Sequence, residues 1–260
     1  SDLLFRAIKE ACEGTAWNAW EEGLVRREPE ALATWRDRLR TAIDDLKFRQ
    51  FLFFRQWRAL KQYCKERGIE IMGDIPIYVA HDSSDVWSHP DLFHLDGKGA
   101  PTMVAGVPPD YFSATGQHWG NPIYRWDVMA SRGYSWWTER IRMTLSMVDI
   151  LRIDHFRGFE AYWVIPAGEE TAVNGHWEPG PRDELFHAIQ NALGTVPLVA
   201  ENLGLITEEV ENLRNRFEFP GMGVLQFAFG PDIEHAGFLP HDYYPNMVAY
   251  TGTHDNDTFI

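Results

Sequence analysis

The sequence predicts an α/β protein of the (β/α)8 TIM-barrel type, present as an incomplete barrel. Three observations predict it. Strand candidates alternate with helical patterns, which places parallel strands side by side. The length, 260 residues, is close to the roughly 250 that such barrels usually occupy as one domain. No internal repeat, Pro/Ser linker or low-complexity block divides the chain.

The elements follow in order. A helical region is expected over about residues 1–66 as an insertion into the barrel. Its stretch 30–66 holds neither Pro nor Gly, and Leu52, Trp57, Leu60 and Cys64 recur at helical spacing. Gly68 is a natural helix stop. Residues 69–79 then read as a strand whose end is marked by Pro76. The stretch 81–132, dense in Pro, Gly, Ser, Asp and aromatics, reads as a long loop region, and loops of that length are uncommon unless functional. A helix is expected near 134–147, where Trp137, Ile141 and Leu145 share a face. Strand candidates follow at 148–153, 196–200, 223–229 and 246–250, with helical patterns at 182–193 and 207–216. Thr207 with Glu208 and Glu209 gives the latter a cap and an acidic first turn. The strand count is about five, not the eight of a closed barrel. Either strands hide in segments read as loop, or the chain is a piece of a longer protein.

Composition narrows the function. The formal net charge is −14, with no basic stripe to neutralise phosphates, so neither a nucleic acid nor an anionic membrane is an expected partner. A neutral ligand such as a carbohydrate meets no electrostatic penalty. Aromatic residues make up 14%, with 11 Trp. Such an excess suits a thick core or the apolar faces of sugars. Cys12 and Cys64 are too few for a disulfide framework, and no leader or long apolar run stands out, so the expected location is cytoplasmic. No glycine-rich phosphate loop is present, and no cofactor is expected.

Chemistry concentrates at strand ends. Arg152 and Asp154 are two apart on one strand, so both face one side, and a guanidinium beside a carboxylate favours its ionised form. An ionised Asp there suits a nucleophile, although a structural ion pair would look the same. Glu201 directly follows the apolar run 196–200, and Asp255 follows the run 246–250. In a barrel all three acids face the C-terminal mouth, where such folds place their sites. Retaining glycosidases need two such carboxyls, about 5–5.5 Å apart, one to attack the anomeric carbon and one to protonate the leaving oxygen. Asp154 fits the nucleophile and Glu201 the acid/base, its pKa raised by the like charges of Asp154 and Asp255. Asp255 could grip sugar hydroxyls, and His254 could donate to the same ring.

At these residues the chain resembles the amylomaltase or 4-α-glucanotransferase family, glycoside hydrolase family 77 of the α-amylase clan. Residues 73–87 (GDIPIYVAHDSSDVW) are similar to the family's first sequence region. Residues 106–122 (GVPPDYFSATGQHWGNP) resemble its active-site loop. Residues 152–159, 200–204 and 252–256 resemble the regions of the nucleophile, the acid/base and the third carboxylate. The resemblance runs from about residue 48 to 260. It implies retaining transfer of an α-1,4-glucan segment to another glucan's 4-hydroxyl, with maltooligosaccharides as partners. It also implies roles for Asp74 and Arg152 near the cleaved bond. Tyr111, Phe112 and Trp119 are then expected on a loop arching over the acceptor side, stacking on glucose faces and excluding water. Asn202 departs from the pattern, since Asp is common there. Family members are much longer, so the resemblance implies further strands on either side of this chain.

Three rival readings remain at this level. An α-glucan hydrolase would use the same carboxylates with water as acceptor. A glucan-binding piece would bind without turnover. A metal-dependent hydrolase would need clustered histidines, but His81, His94, His118, His155 and His254 form no His-x-His or His-Glu-x-x-His pattern, so no metal is expected.

Overall fold

The computed structural model describes residues 2–110, 113–229, 237–254 and 256. The chain divides into two compact units, each assembled from separate segments: 1–69, 78–136 and 161–180 form the first, and 70–77, 137–160 and 181–260 the second. Because the segments interleave, no linker marks the division in the sequence.

The first unit opens with α1 (Asp2–Ala11), α2 (Glu22–Val25), α3 (Pro29–Arg38) and α4 (Arg40–Lys65). Pro29 begins α3, where its missing N–H costs nothing. The expected stop after α4 is present, with Gly68 at φ +65°. The buried face of α1 is Leu4, Phe5, Ala7 and Ile8. Phe5, Trp20 and Trp87 pack ring against ring with centroids 5.4–5.7 Å apart. The Trp17 indole donates to the His81 carbonyl at 2.8 Å. Much of the tryptophan excess is therefore core.

The stretch 81–132, expected as loop, is structured. It holds α5 (Ser84–Ser88), a β-hairpin and α6 (Trp126–Ser131). After β1 (Met72–Pro76), which belongs to the second unit, the hairpin strands are β2 (Met103–Val107) and β3 (Gln117–Pro122). They join β5 (Ala161–Pro166) and β6 (His176–Pro179) in an antiparallel sheet of order β3-β2-β5-β6. The sequence concealed this sheet because β3 reads Gln-His-Trp-Gly-Asn-Pro, polar and carrying both breakers, and because β5 pairs with β2 across some sixty intervening residues.

The second unit holds the parallel strands. These are β1 (Met72–Pro76), β4 (Ile150–Asp154), β7 (Leu198–Ala200), β8 (Gly221–Val224) and β9 (Met247–Tyr250). Strands β1-β4-β7 form one parallel sheet and β8-β9 another. A backbone bond of 2.9 Å from Ala200 N to Pro220 O links β7 to the residue before β8. The helices are α7 (Ser135–Leu145), α8 (Arg182–Leu193) and α9 (Glu208–Arg216), all close to expectation. The first two residues of α7 fall in the first unit. The expected strand at 223–229 is shorter and earlier, because Leu225–Phe229 winds into a 3-10 turn. Thr207 holds the cap position of α9, yet its side chain makes no cap bond.

An aromatic core lies beneath the β4 end. Phe156 stacks on Phe186 at 5.5 Å, and Phe159 meets Trp137 at 5.2 Å and Phe186 at 5.4 Å. Each such pair contributes about 0.5–1.5 kcal/mol beyond its buried area. The turn after Asp154 is thereby fixed from below, while His155 at φ +55° redirects the chain there.

Candidate active site

Parallel register sets the site. Asp74 on β1 lies opposite Arg152 on β4, and Arg152 opposite Val199 on β7. Paired residues of parallel strands point to one face, so these three form a row. Two residues further on, at the strands' C-terminal ends, Asp154 lies opposite Pro76. The ladder between β4 and β7 runs one bond further, Glu201 N donating to Ile153 O at 3.0 Å. Asp154 and Glu201 thus leave adjacent strand ends, and adjacent parallel strands are about 4.8 Å apart. Side chains leaving neighbouring strand ends on one face can bring two carboxyls to the roughly 5–5.5 Å that a retaining pair needs.

Arg152 bridges Asp74 in its row and Asp154 two residues further along β4. Its Nη1 donates to Asp74 Oδ2 at 2.6 Å and its Nη2 to Asp154 Oδ1 at 2.7 Å. The guanidinium is buried, against Met222 Sδ at 3.2 Å from Nε. Burial alone would lower its pKa, but Asp74 and Asp154 outweigh it, and the net shift is upward. The floor is apolar: Val199, Met222 and Val224 are buried, with Ile150, Leu203 and Tyr250 packed against them.

Glu201 is 8% exposed. Its Oε2 accepts His155 N at 2.8 Å and its Oε1 accepts Leu203 N at 2.6 Å. Those bonds fix the carboxyl's orientation and by themselves favour its charged form. Burial prevails and, with the charge of Asp154 adding to it, pushes the pKa up to about 7. The raised pKa was expected from like charges; desolvation is the larger cause. Burial also drives His155 down to about 3, helped by Arg157, so it is neutral at ordinary pH. Arg157 Nη1 donates to the Leu205 carbonyl and ties down the loop after Glu201.

Of the residues singled out in the sequence, Asp74, Arg152, Asp154 and Glu201 converge in the second unit. His254 follows β9 in the same unit and is exposed, in a turn where Thr253 N and Oγ1 both donate to Asn256 Oδ1 at 2.9 and 3.0 Å. Trp119 belongs to the first unit, on β3, with its indole donating to Gln117 Oε1 at 3.0 Å and its ring 6.2 Å from Tyr78. Asp255, Tyr111 and Phe112 lie outside the described residues. Two charged residues near the site went unremarked in the sequence, Glu211 and Arg214 on α9. A Glu–Arg pair three apart on a helix usually marks a solvated face, yet Arg214 is 2% exposed. Among the described residues, no group of three or more His, Cys, Asp or Glu side chains could hold a metal ion, and no helix is long and apolar enough to cross a membrane.

Fold and site define an α/β protein with a buried, protonatable carboxyl beside an arginine-paired carboxylate, the equipment of two-carboxyl glycoside chemistry. The chain belongs to glycoside hydrolase family 77, described as 4-alpha-glucanotransferase, which it matches over residues 3–260. It is 56% identical to a 4-alpha-glucanotransferase of Synechocystis over 260 residues, covering 99% of this chain and 51% of that protein. With the Thermus thermophilus 4-alpha-glucanotransferase it shares 55% identity, covering 99% of this chain and 52% of that protein. The amylomaltase from Streptococcus agalactiae, solved in complex with acarbose, superposes with a TM-score of 0.93 at 45% identity, covering 98% of this chain and 52% of that one. The chain spans about half the length of the relatives it matches.

Proposed function

We propose that this chain carries the catalytic centre of a 4-α-glucanotransferase that moves a segment of an α-1,4-glucan onto the 4-hydroxyl of glucose or another glucan. The observation that carries this is the unequal pair at adjacent strand ends: Asp154 held by Arg152, and Glu201 buried with its pKa near 7. Membership of the family and the acarbose complex of the S. agalactiae relative support a maltooligosaccharide as the ligand.

An Asp154 oxygen attacks the anomeric carbon as the bond to the leaving O4 breaks, and Glu201 gives that oxygen its proton. Glu201, now a carboxylate, then takes the proton of the incoming 4-hydroxyl as that oxygen displaces Asp154. Arg152 holds the nucleophile and Asp74 in place, while Asp255 and His254 bind hydroxyls of the reacting sugar. Tyr111, Phe112 and Trp119 stack on the acceptor side and exclude water, so that a sugar rather than water completes the reaction. No cofactor takes part in this scheme. The parallel strands β1-β4-β7 and β8-β9 are read as an arc of a (β/α)8 barrel that further strands complete. Two cysteines, neither in a disulfide, support a reducing compartment such as the cytoplasm.

The test is the product pattern from maltotriose with the protein that carries this chain. Glucose plus maltooligosaccharides longer than the substrate is the expected result, and glucose and maltose alone would make it a hydrolase. Asp154→Asn should abolish turnover and leave glucan binding near wild type. Near-normal turnover would overturn the nucleophile assignment.

A further inference from the structure

Beyond the single backbone bond from Ala200 N to Pro220 O, a side chain makes the next link from the end of β7 to β8. Asn202 Oδ1 accepts Met222 N at 2.8 Å, taking the place of a strand carbonyl. Its Nδ2 donates to Glu211 Oε1 at 2.7 Å. The other Glu211 oxygen receives Arg214 Nε at 3.0 Å and Nη2 at 2.6 Å. Arg214 Nη1 closes the circuit on the Phe219 carbonyl at 2.7 Å, two residues before β8.

An ion pair that buries its arginine and half-buries its glutamate is a costly way to join a helix to a sheet, since apolar residues of similar volume often serve stability better. Its geometric effect is specific. Asn202 separates Glu201 from Leu203, whose N–H holds the Glu201 carboxyl. With Asn202 gripped from β8 on one side and α9 on the other, the turn 201–203 has one arrangement, and Leu203 N stays aimed at Oε1. The residue type follows, because the grip needs an acceptor toward Met222 N and a donor toward Glu211. An amide supplies both, whereas a carboxylate would set a second negative charge against Glu211.

We propose that Asn202, Glu211 and Arg214 are positioning residues for proton transfer, acting as one relay that fixes the Glu201 carboxyl. This rests on reading Glu201 as the acid/base. The test uses Asn202→Ala, Glu211→Ala and the double variant in the full protein that carries this chain. Each is assayed on maltotriose and, in the pre-steady state, on fluoride release from an α-maltosyl fluoride, whose leaving group needs no protonation. Both single variants should lose about ten- to a hundredfold in kcat on maltotriose, with KM within about twofold and fluoride release within about threefold. The double variant should lose no more than the worse single one, as expected for residues acting as a unit. Equal losses on both substrates, a KM effect without a kcat effect, or additive losses would each overturn the relay. If Asn202→Ala does not fold, Glu211→Ala carries the substrate comparison alone. Glu201→Gln, run alongside, should show the same contrast more strongly. Its absence there would sink the acid/base reading itself and not the relay.

Discussion

Glu201 shows how two opposing effects are weighed at one side chain. Two backbone donors at 2.6 and 2.8 Å would make an exposed carboxyl more acidic, yet burial leaves it near pH 7. A general acid must carry its proton, so activity on maltotriose should fall as pH rises through about 7. Stability is linked to the same shift. The folded pKa lies above the unfolded value of roughly 4.3, so the folded state binds the extra proton between the two. The cost of ionising Glu201 is absent below the unfolded pKa and complete above the folded one. Denaturant titrations at pH 4 and pH 8 should show wild type losing about 3 kcal/mol more than Glu201→Gln over that interval. The readout is this difference, because a Gln amide would set one N–H against a backbone donor at every pH. Parallel pH dependence in the two proteins would remove the case for a burial-raised pKa.

At the scale of elements, what was legible depended on where a signal resides. The parallel strands were readable because short apolar runs end abruptly in charge, as Leu-Val-Ala-Glu does at 198–201. Asp154 and Glu201 were readable for that reason, since a charged residue directly after a buried strand is conspicuous. Arg214 was not, because its burial comes from the carbonyl of Phe219 and from Glu211, neither of which alters the helical pattern. The antiparallel sheet was not, because β2 and β3 are specified by close backbone approach more than by apolar alternation. Gly106 makes this explicit: a Cβ there would run into the Gln117 carbonyl oxygen and meet Ile165 Cδ1 at 2.5 Å. Gly106→Ala should therefore destabilise the protein by about 1–3 kcal/mol, seen as a lower Tm. Gly97→Ala, with nothing within 4 Å of the new Cβ, should leave Tm unchanged or slightly raised. Equal effects at the two positions would show that the hairpin does not depend on this contact.

At the scale of the whole molecule, exposed apolar surface and open sheet edges stand beside the matched length, which is about half that of the relatives. Helix α4 has 26 residues and is about 39 Å long. Apolar side chains lie around most of its circumference, a pattern found in helices covered on all sides. Here its one buried residue is Leu46, while Phe48, Phe51 and Tyr63 are each more than half exposed. In the second unit, β1 pairs only with β4 and β9 only with β8 among the described residues. Parallel sheets are normally covered on both faces, and an uncovered strand edge is a template for another chain. Residues 1–260 expressed alone should consequently self-associate, with the sedimentation coefficient rising between about 1 and 100 µM, a range in which exposed apolar surface drives association. Phe48→Lys combined with Phe51→Lys should reduce that association, since both exposed rings lie on one flank of α4. If the isolated chain sediments as a monomer throughout, the exposed face of α4 is ordinary surface and requires no cover. If it associates but the lysine pair changes nothing, the open strand edges of the second unit are the adhesive surface.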